Sequence, residues 1–353
     1  MKKEITVLKN VTVYSIYFII FYVCSSFNSI KNNEHCKYYK HLVFRETPYA
    51  PVKGRMEISK ERSKNENHYK LTFNEENKLI LIEYLYGDKQ ISRKRAGIMD
   101  GFRNIYSKTV IQYQENLEIR TFFSSNGRRC SNGMNVFKEV YEYNKYGKKV
   151  GVKFYNESNQ LTNNTWNIAE YVWEHVGENN VIEKRKNKND EYVTMRPYYH
   201  FYTTLYSYSK EGLLISMSHI NKDKSLINDR IDKYGIAIDK PTYDKEWNLI
   251  EFKFYNAKNE LTVGSFLKSA GGKIEYDSNG NCIKYTTINL DGKRMLSRGK
   301  AYDIYKFDVF GNMVEIAHFD MYNKPVKYRG NSKVQIIYDT KDLSRKGEIQ
   351  TFK

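Results

Sequence analysis

The sequence predicts an all-β protein, an array of antiparallel β-hairpin repeats in a solenoid-like or spiralling sheet, and three observations carry that reading. An aromatic residue followed by a polar turn-former recurs nine times at a near-constant step; short alternating stretches flank Asp, Asn and Gly clusters; and no long stretch has helical periodicity. At 353 residues and 40% hydrophobic content the chain can bury a sizeable core, which excludes wholesale disorder. Five prolines and 20 glycines exclude a collagen-like stalk, and 28% charged residues with 32 tyrosines fit neither a polytopic membrane protein nor a coiled coil. The net charge of +17 favours anionic partners without naming one.

The chain opens on Lys2, Lys3, Glu4 and Lys9, followed by an uncharged, mostly apolar run from Val11 to Val23. As a helix this run would reach roughly 20–24 Å, short of the ~30 Å hydrocarbon core, so residues 1–24 read as a signal peptide or membrane leader. Cys24 directly behind the run stands where a bacterial lipoprotein is cleaved and acylated, although Phe21 stands where Leu is usual and Val23 where Gly, Ala or Ser is usual. The expected location is therefore exported: a cell-surface or outer-membrane lipoprotein, or a periplasmic or secreted protein, with the membrane met through the N-terminus if it is lipidated or uncleaved. Setting residues 1–24 aside lowers the charge to +15. Residues 25–67, rich in Asn, Lys and Glu, read as a flexible tether.

From residue 68 to 353 the chain reads as about nine degenerate hairpin units. Their first anchors are Phe73, Tyr113, Tyr143, Trp173, Tyr208, Tyr243, Tyr276, Phe307 and Tyr338, separated by 40, 30, 30, 35, 35, 33, 31 and 31 residues. A second aromatic-polar pair follows by twelve residues at Tyr155, Tyr255 and Phe319, and a small residue stands six before the anchor at Ala237, Ala270, Ala301 and Ser332. In Lys273 to Tyr285, alternation on both sides of Asp277-Ser278-Asn279-Gly280-Asn281 gives strand, turn, strand. Asp or Asn opens such a turn by bonding the backbone two residues on, and Gly or Asn accepts φ > 0 where the chain reverses. The anchors are expected to stack from repeat to repeat as an aromatic ladder, which would account for the tyrosines structurally. Lys89 to Ser107, the insertion that lengthens the first step, is the best helical candidate. The last unit, from Tyr338, looks like a truncated capping repeat.

Tyr276-Asp277 with Gly280-Asn281, Phe307-Asp308 with Gly311-Asn312, Glu251, Glu315 and Lys324-Pro325-Val326 together resemble the YD-type repeats of bacterial secreted and cell-surface proteins, the group that includes Rhs and wall-associated repeat proteins, in a long-period variant. The match covers residues 70–353 and is best formed from Tyr243 onward. The resemblance implies an exported β-rich scaffold, and fold likeness alone is weak warrant for function.

Chemistry is sparse. No H-E-x-x-H, C-x-x-C, G-x-S-x-G, phosphate-loop or dinucleotide motif occurs, so no catalytic, cofactor or metal residue is expected. His35, Cys36 and His41 are the nearest approach to a metal cluster. Asp277-x-Asn279-Gly280-Asn281 has neither the Gly nor the Glu spacing of a calcium loop and reads as a turn. Cys36, Cys130 and Cys282 suggest no disulfide framework. Lys184, Arg185, Lys186 and Lys188 form a candidate patch for an anionic ligand, set against the duller reading of charged strands kept soluble. Export points to envelope glycans or surfaces, or to an unidentified protein, as partner, and no nucleic acid is expected. The function expected is binding or scaffolding at the cell envelope without catalysis. The alternatives are a glycan-acting enzyme with a cleft in the irregular 190–240 region, and an immunity or antitoxin-like partner protein.

Overall fold

The computed structural model describes residues 35–92, 107–196, 199–230, 235–264, 267–338 and 348–352. Within these, twenty-one strands belong to one antiparallel sheet, and the only helix is a single turn at Lys60–Ser63. Among the described residues no helix is long and apolar enough to cross a membrane. The chain divides into two compact units: Met1–His35 with Phe73–Lys78, and Cys36–Thr72 with Leu79–Lys353. In the described part of the first, the His35 ring stacks on Phe73 at 5.2 Å, and the Asn74–Lys78 turn closes through its own backbone and Asn74 Oδ1.

Nine consecutive hairpins follow the predicted step. They are β3 (Asn67–Phe73) and β4 (Leu79–Tyr86); β6 (Lys108–Gln114) and β7 (Leu117–Phe123), after the short β5 (Lys89–Gln90); β8 (Lys138–Tyr143) and β9 (Lys149–Tyr155); β10 (Glu170–Val176) and β11 (Asn180–Lys186); β12 (Thr203–Tyr208) and β13 (Leu214–His219); β14 (Ile238–Tyr243) and β15 (Leu249–Tyr255); β16 (Gly271–Tyr276) and β17 (Cys282–Ile288); β18 (Tyr302–Phe307) and β19 (Met313–Phe319); and β20 (Lys333–Ile337) and β21 (Glu348–Phe352). Most anchors end the first strand of their hairpin. Trp173 instead lies mid-strand in β10, whose turn passes through Gly177.

The turns work as their residues require. Asp277 N donates to Asn281 O and Gly280 N to Asp277 O, both at 3.0 Å, while Asp277 Oδ1 accepts from Asn279 N and Asn281 N at 2.9 Å. Its Oδ2 accepts from Asn281 Nδ2 at 3.0 Å, and Gly280 supplies φ 74° at the reversal. Asp308 and Asp244 repeat the same set of bonds. The extra turn residue shifts the register immediately before the anchor in the hairpins of Tyr143, Tyr208, Tyr243, Tyr276 and Phe307, so these anchors sit at β-bulges.

Three tyrosine anchors, only one of them at a bulge, share a link. Tyr276 Oη donates to Leu249 O at 2.9 Å, Tyr338 Oη to Met313 O at 3.2 Å and Tyr113 Oη to Leu79 O at 3.0 Å, each reaching one hairpin back. The link at these anchors is a hydrogen bond to a strand-end carbonyl rather than the expected ring ladder. Among the anchors Trp173 does stack on a ring of the hairpin before, Tyr141, and away from the anchors Phe252 stacks on Tyr285.

The small residues form the second joint. Ala270 N donates to Ile288 O of its own hairpin, and Ala270 O accepts from Phe254 N of the hairpin before. Ala237, Ala301 and Ser332 make the same two bonds. Ser107 and Ala169 do so as well, although no sequence landmark singled them out. Ala169, Ala237, Ala270 and Ala301 are fully buried, which is why the slot takes so small a side chain.

Two expectations are overturned. Lys89–Gln90, the start of the helical candidate, is a strand, and residues 93–106 lie outside the described residues. The greater part of the 25–67 tether, from His35, is folded: β1 (His35–Leu42) pairs with β2 (Gly54–Ile58) and the intervening stretch is largely buried. Its polar residues, which suggested a solvated linker, turn inward as donors. Lys40 bonds Asn67 O, Asn67 Oδ1 and Glu66, and Arg45 bonds Ala50 O and Pro48 O. Residues 25–34 and Cys24 lie outside the described residues.

Candidate functional site

Two places bring chemistry together, and both involve the segment Cys36 to Ile58. Along one row of turns this segment is held by backbone carbonyls. His41 Nε2 meets Asn279 O at 2.7 Å, Arg55 Nη2 donates to Gly280 O at 3.0 Å, and Lys53 donates to Glu211 O. Arg55 also donates to Asn248 and lies over the Tyr276 ring at 5.2 Å. Farther along, Thr47 donates to the buried Glu183, Glu46 pairs with Arg196, and Tyr49 packs against Trp173 and Tyr208. A tight turn leaves strand-end carbonyls unpaired, so cationic donors on a passing strand can satisfy them.

Beneath that segment lies a series of buried acids. The residue four before the anchor, on the same strand face as the anchor, is Glu139, Asp239 or Asp303 in three hairpins. Asp303 is fully partnered by His318 Nδ1 at 2.7 Å, Lys300 Nζ at 2.5 Å and Tyr305 Oη at 3.4 Å. Burial would raise its carboxyl, but the His318 bond and the Lys300 charge outweigh that and hold it below the usual carboxylate range. Glu139 has Asn132 Nδ2 at 3.0 Å and Tyr141 Oη at 2.8 Å on separate oxygens.

Asp239 is different. Tyr199 Oη donates to its Oδ2 at 2.9 Å, and its Oδ1 has no partner among the described residues. Burial pushes its carboxyl up to about 7, with the Tyr199 bond and the Arg196 charge only partly opposing. It lines a cavity of about 320 Å³ whose other walls include Phe44, Leu214, Met217, Pro241, Phe252 and Leu267, with Glu46, Arg196 and Tyr285 at its polar side.

A stability signature follows. In the unfolded chain this carboxyl ionises near 3.8, whereas in the fold it keeps its proton to about 7. The unfolded state therefore binds fewer protons in that window, and stability falls as pH rises through it. Asp239→Asn is expected to remove the loss, on the order of 2–4 kcal/mol at pH 8, and to change little at pH 4. Thermal melts followed by circular dichroism between pH 4 and 8 check this; equal slopes for both proteins would contradict it.

The four residues of the anionic-ligand patch do not assemble. Lys184 and Lys188 are exposed, Lys186 bonds Asp190 at 2.7 Å, and Arg185 is fully buried. Arg185 donates to Phe201 O and Glu183 O at 3.2 Å and to Thr204 Oγ1 at 2.6 Å, so it is a core cation facing away from the lysines. Among the anchors, Tyr208 is buried, and Tyr143, Tyr243, Tyr276, Phe307 and Tyr338 are half-buried. His41 is engaged by Asn279 O and His35 by Phe73, and no group of three or more metal-ligating side chains occurs among the described residues. Arg93-Lys94-Arg95 lies outside them.

Sequence reasoning missed the acids altogether. The signal was present, an acid at even spacing from the anchor and therefore on its face, but nothing local in the sequence distinguishes such an acid from a solvated one.

No protein-family model matches this chain, and no curated protein matches it. Among solved structures it is similar to a chain in a crystal structure of TcdB2-TccC3-Cdc42, with a TM-score of 0.26 and 11% identity over 84% of this chain. This chain spans 16% of that one, and a likeness at that score carries neither fold nor function across.

Proposed function

We propose that this protein is an exported, non-catalytic β-hairpin repeat module that binds and scaffolds, and that what it holds is an extended polypeptide segment laid across its hairpin turns. The observation that carries this reading is the seating of Cys36 to Ile58, whose Lys53, Arg55 and His41 meet the carbonyls of Glu211, Gly280 and Asn279 in two different hairpins. Donors that reach backbone carbonyls recognise an arrangement of turns rather than particular side chains, which suits a repeat array whose letters are degenerate. Export is supported by the charged start, the Val11–Val23 run and Cys24. In that setting the protein would stand at the envelope, attached through its N-terminus.

The glycan-acting alternative gains little from the geometry. The 190–240 region does bring a carboxylate, Asp239, to a cavity, but the companion carboxylate Glu46 is paired to Arg196 and the walls are mostly apolar. The dispersed basic residues likewise favour a protein segment over an anionic glycan.

Complementation tests the proposal. A chain lacking residues 36–58 is titrated with a synthetic peptide of that stretch, with near-ultraviolet circular dichroism as the readout. Recovery of the native signal is expected, and a peptide carrying Arg55→Ala should need roughly tenfold more, since a buried hydrogen bond to a charged group is worth about 1.5–3 kcal/mol. Equal action of the two peptides would sink the proposal. Palmitate incorporation lost on Cys24→Ala tests the attachment separately.

A further inference from the structure

The acid slot four residues before the anchor gives the molecule its own internal control. Around Asp303 the surrounding positions supply a complete set of partners: Lys300 three residues earlier, Tyr305 two residues later and His318 directly across the hairpin. Around Asp239 the corresponding positions are Ile236, Pro241 and Phe254, all without a polar side-chain atom. The same strand position therefore holds an acid in both hairpins, but at Asp239 these three positions carry hydrocarbon, and only Tyr199 Oη on Oδ2 and the charge of the Glu46-paired Arg196 bear on it. A buried carboxylate without a cation is costly, and natural cores seldom keep one without a use.

The missing partner has a place to sit. The cavity beside Asp239 is about 320 Å³, within the size range of small-molecule pockets, with Leu214, Met217, Pro241, Phe252 and Leu267 along its apolar walls. A second buried polar atom, Tyr285 Oη, has no hydrogen-bond partner among the described residues, and its ring lines the same cavity. Arg196, the one cation on the lining, is paired with Glu46 and stands over the Tyr199 ring at 4.9 Å.

We infer that this cavity is a binding site for a small amine with an apolar body, its ammonium group seated on Asp239 and its hydrocarbon against Leu214, Met217, Pro241, Phe252 and Leu267. The ammonium takes the role that Lys300 plays for Asp303, donating to the open Oδ1, with Tyr285 Oη placed to accept a further N–H. A neutral alcohol of the same shape fits the walls but supplies no charge. The site stands apart from the turn-row reading, although Phe44 and Glu46 of the seated segment form part of its lining.

The pH dependence follows from the groups that face Asp239: Tyr199 and Arg196 from the loop between β11 and β12, Tyr243 on its own strand, Tyr285 from β17 and Glu46 from the seated segment. The phenols remain neutral in the working range because burial raises Tyr243 and Tyr285, and Glu46 and Arg196 offset each other. Titration near neutrality is then that of Asp239, and an ammonium ligand needs it ionised.

The test is calorimetric titration of the full chain with benzylamine and with benzyl alcohol, at pH 6 and pH 8. Benzylamine should bind about tenfold more tightly at pH 8 than at pH 6, as a carboxyl titrating at about 7 requires, while benzyl alcohol should show no such change. Asp239→Asn should abolish the preference for the amine and leave the alcohol bound. Leu267→Trp, with its fold checked by circular dichroism, should weaken both by filling the space. Benzylamine binding no better than benzyl alcohol at pH 8, or equally well at both pH values, overturns the inference on the wild-type protein alone. Unchanged benzylamine affinity in Asp239→Asn overturns it too. Failure of the peptide complementation would leave these titrations unaffected.

Discussion

Glu183→Ala is expected to cost about 3–5 kcal/mol of folding stability, the range for removing one partner of a buried ion pair. Glu183 is fully buried and serves four groups at once: the Thr47 hydroxyl, Trp173 Nε1 at 2.9 Å, Tyr206 Oη at 3.2 Å, and Arg185 at 3.5 Å. Alanine would leave Arg185 with its charge buried, still bonded to Phe201 O and Thr204 but without a counter-ion. Urea denaturation should show a lower midpoint at an unchanged slope, and replacing Arg185 by Met in the same chain should recover part of the loss. A midpoint within the error of the wild type would mean that the network adds nothing.

Deleting residues 36–58 should have a still larger effect, about 5 kcal/mol or more, comparable to the whole stability of many domains. The deletion uncovers Trp173 and Tyr208, which pack on Tyr49, and leaves Arg196 without Glu46 and Glu183 without Thr47. Each is a named mechanism of strong destabilisation, namely lost apolar burial and uncompensated buried charge. The shortened chain is therefore expected to lose its cooperative urea transition while keeping a β-type far-ultraviolet spectrum. A flexible tether would predict no change, so an unaltered midpoint decides against the seating described here.

The repeat was legible because its signals are local. Asp277, Gly280 and Asn281 state their turn within five letters, and the small residues at Ala237, Ala270 and Ala301 mark a joint whose bonds fall at fixed distance along the chain. What was illegible depends on contacts distant in sequence or on which face a residue takes. Lys184-Arg185-Lys186 reads as one basic run, but strand alternation sends Arg185 into the core and its neighbours outward. Arg55 and Lys53 look like solvated linker residues until Gly280 and Glu211 are brought to them. The Tyr hydroxyls explain why a ring ladder does not link Tyr113, Tyr276 and Tyr338 to the hairpin before, since each donates to a carbonyl there instead. Removing residues 276–306 would take away the turn that Arg55 and His41 grip and the Ala301 joint with it, leaving the small residue Ala270 to join the next hairpin.

The seated segment also has a consequence in time. It is made early, but the groups that hold it come much later: Asn248 and Gly280 lie 193 and 225 residues after Arg55, and Asn279 lies 238 after His41. Local hairpins can close as each emerges, whereas this strap must wait, exposed, until most of the chain is present. Its docking is then the slow, late step of folding. During synthesis an early-made stretch would be among the last to reach its native place.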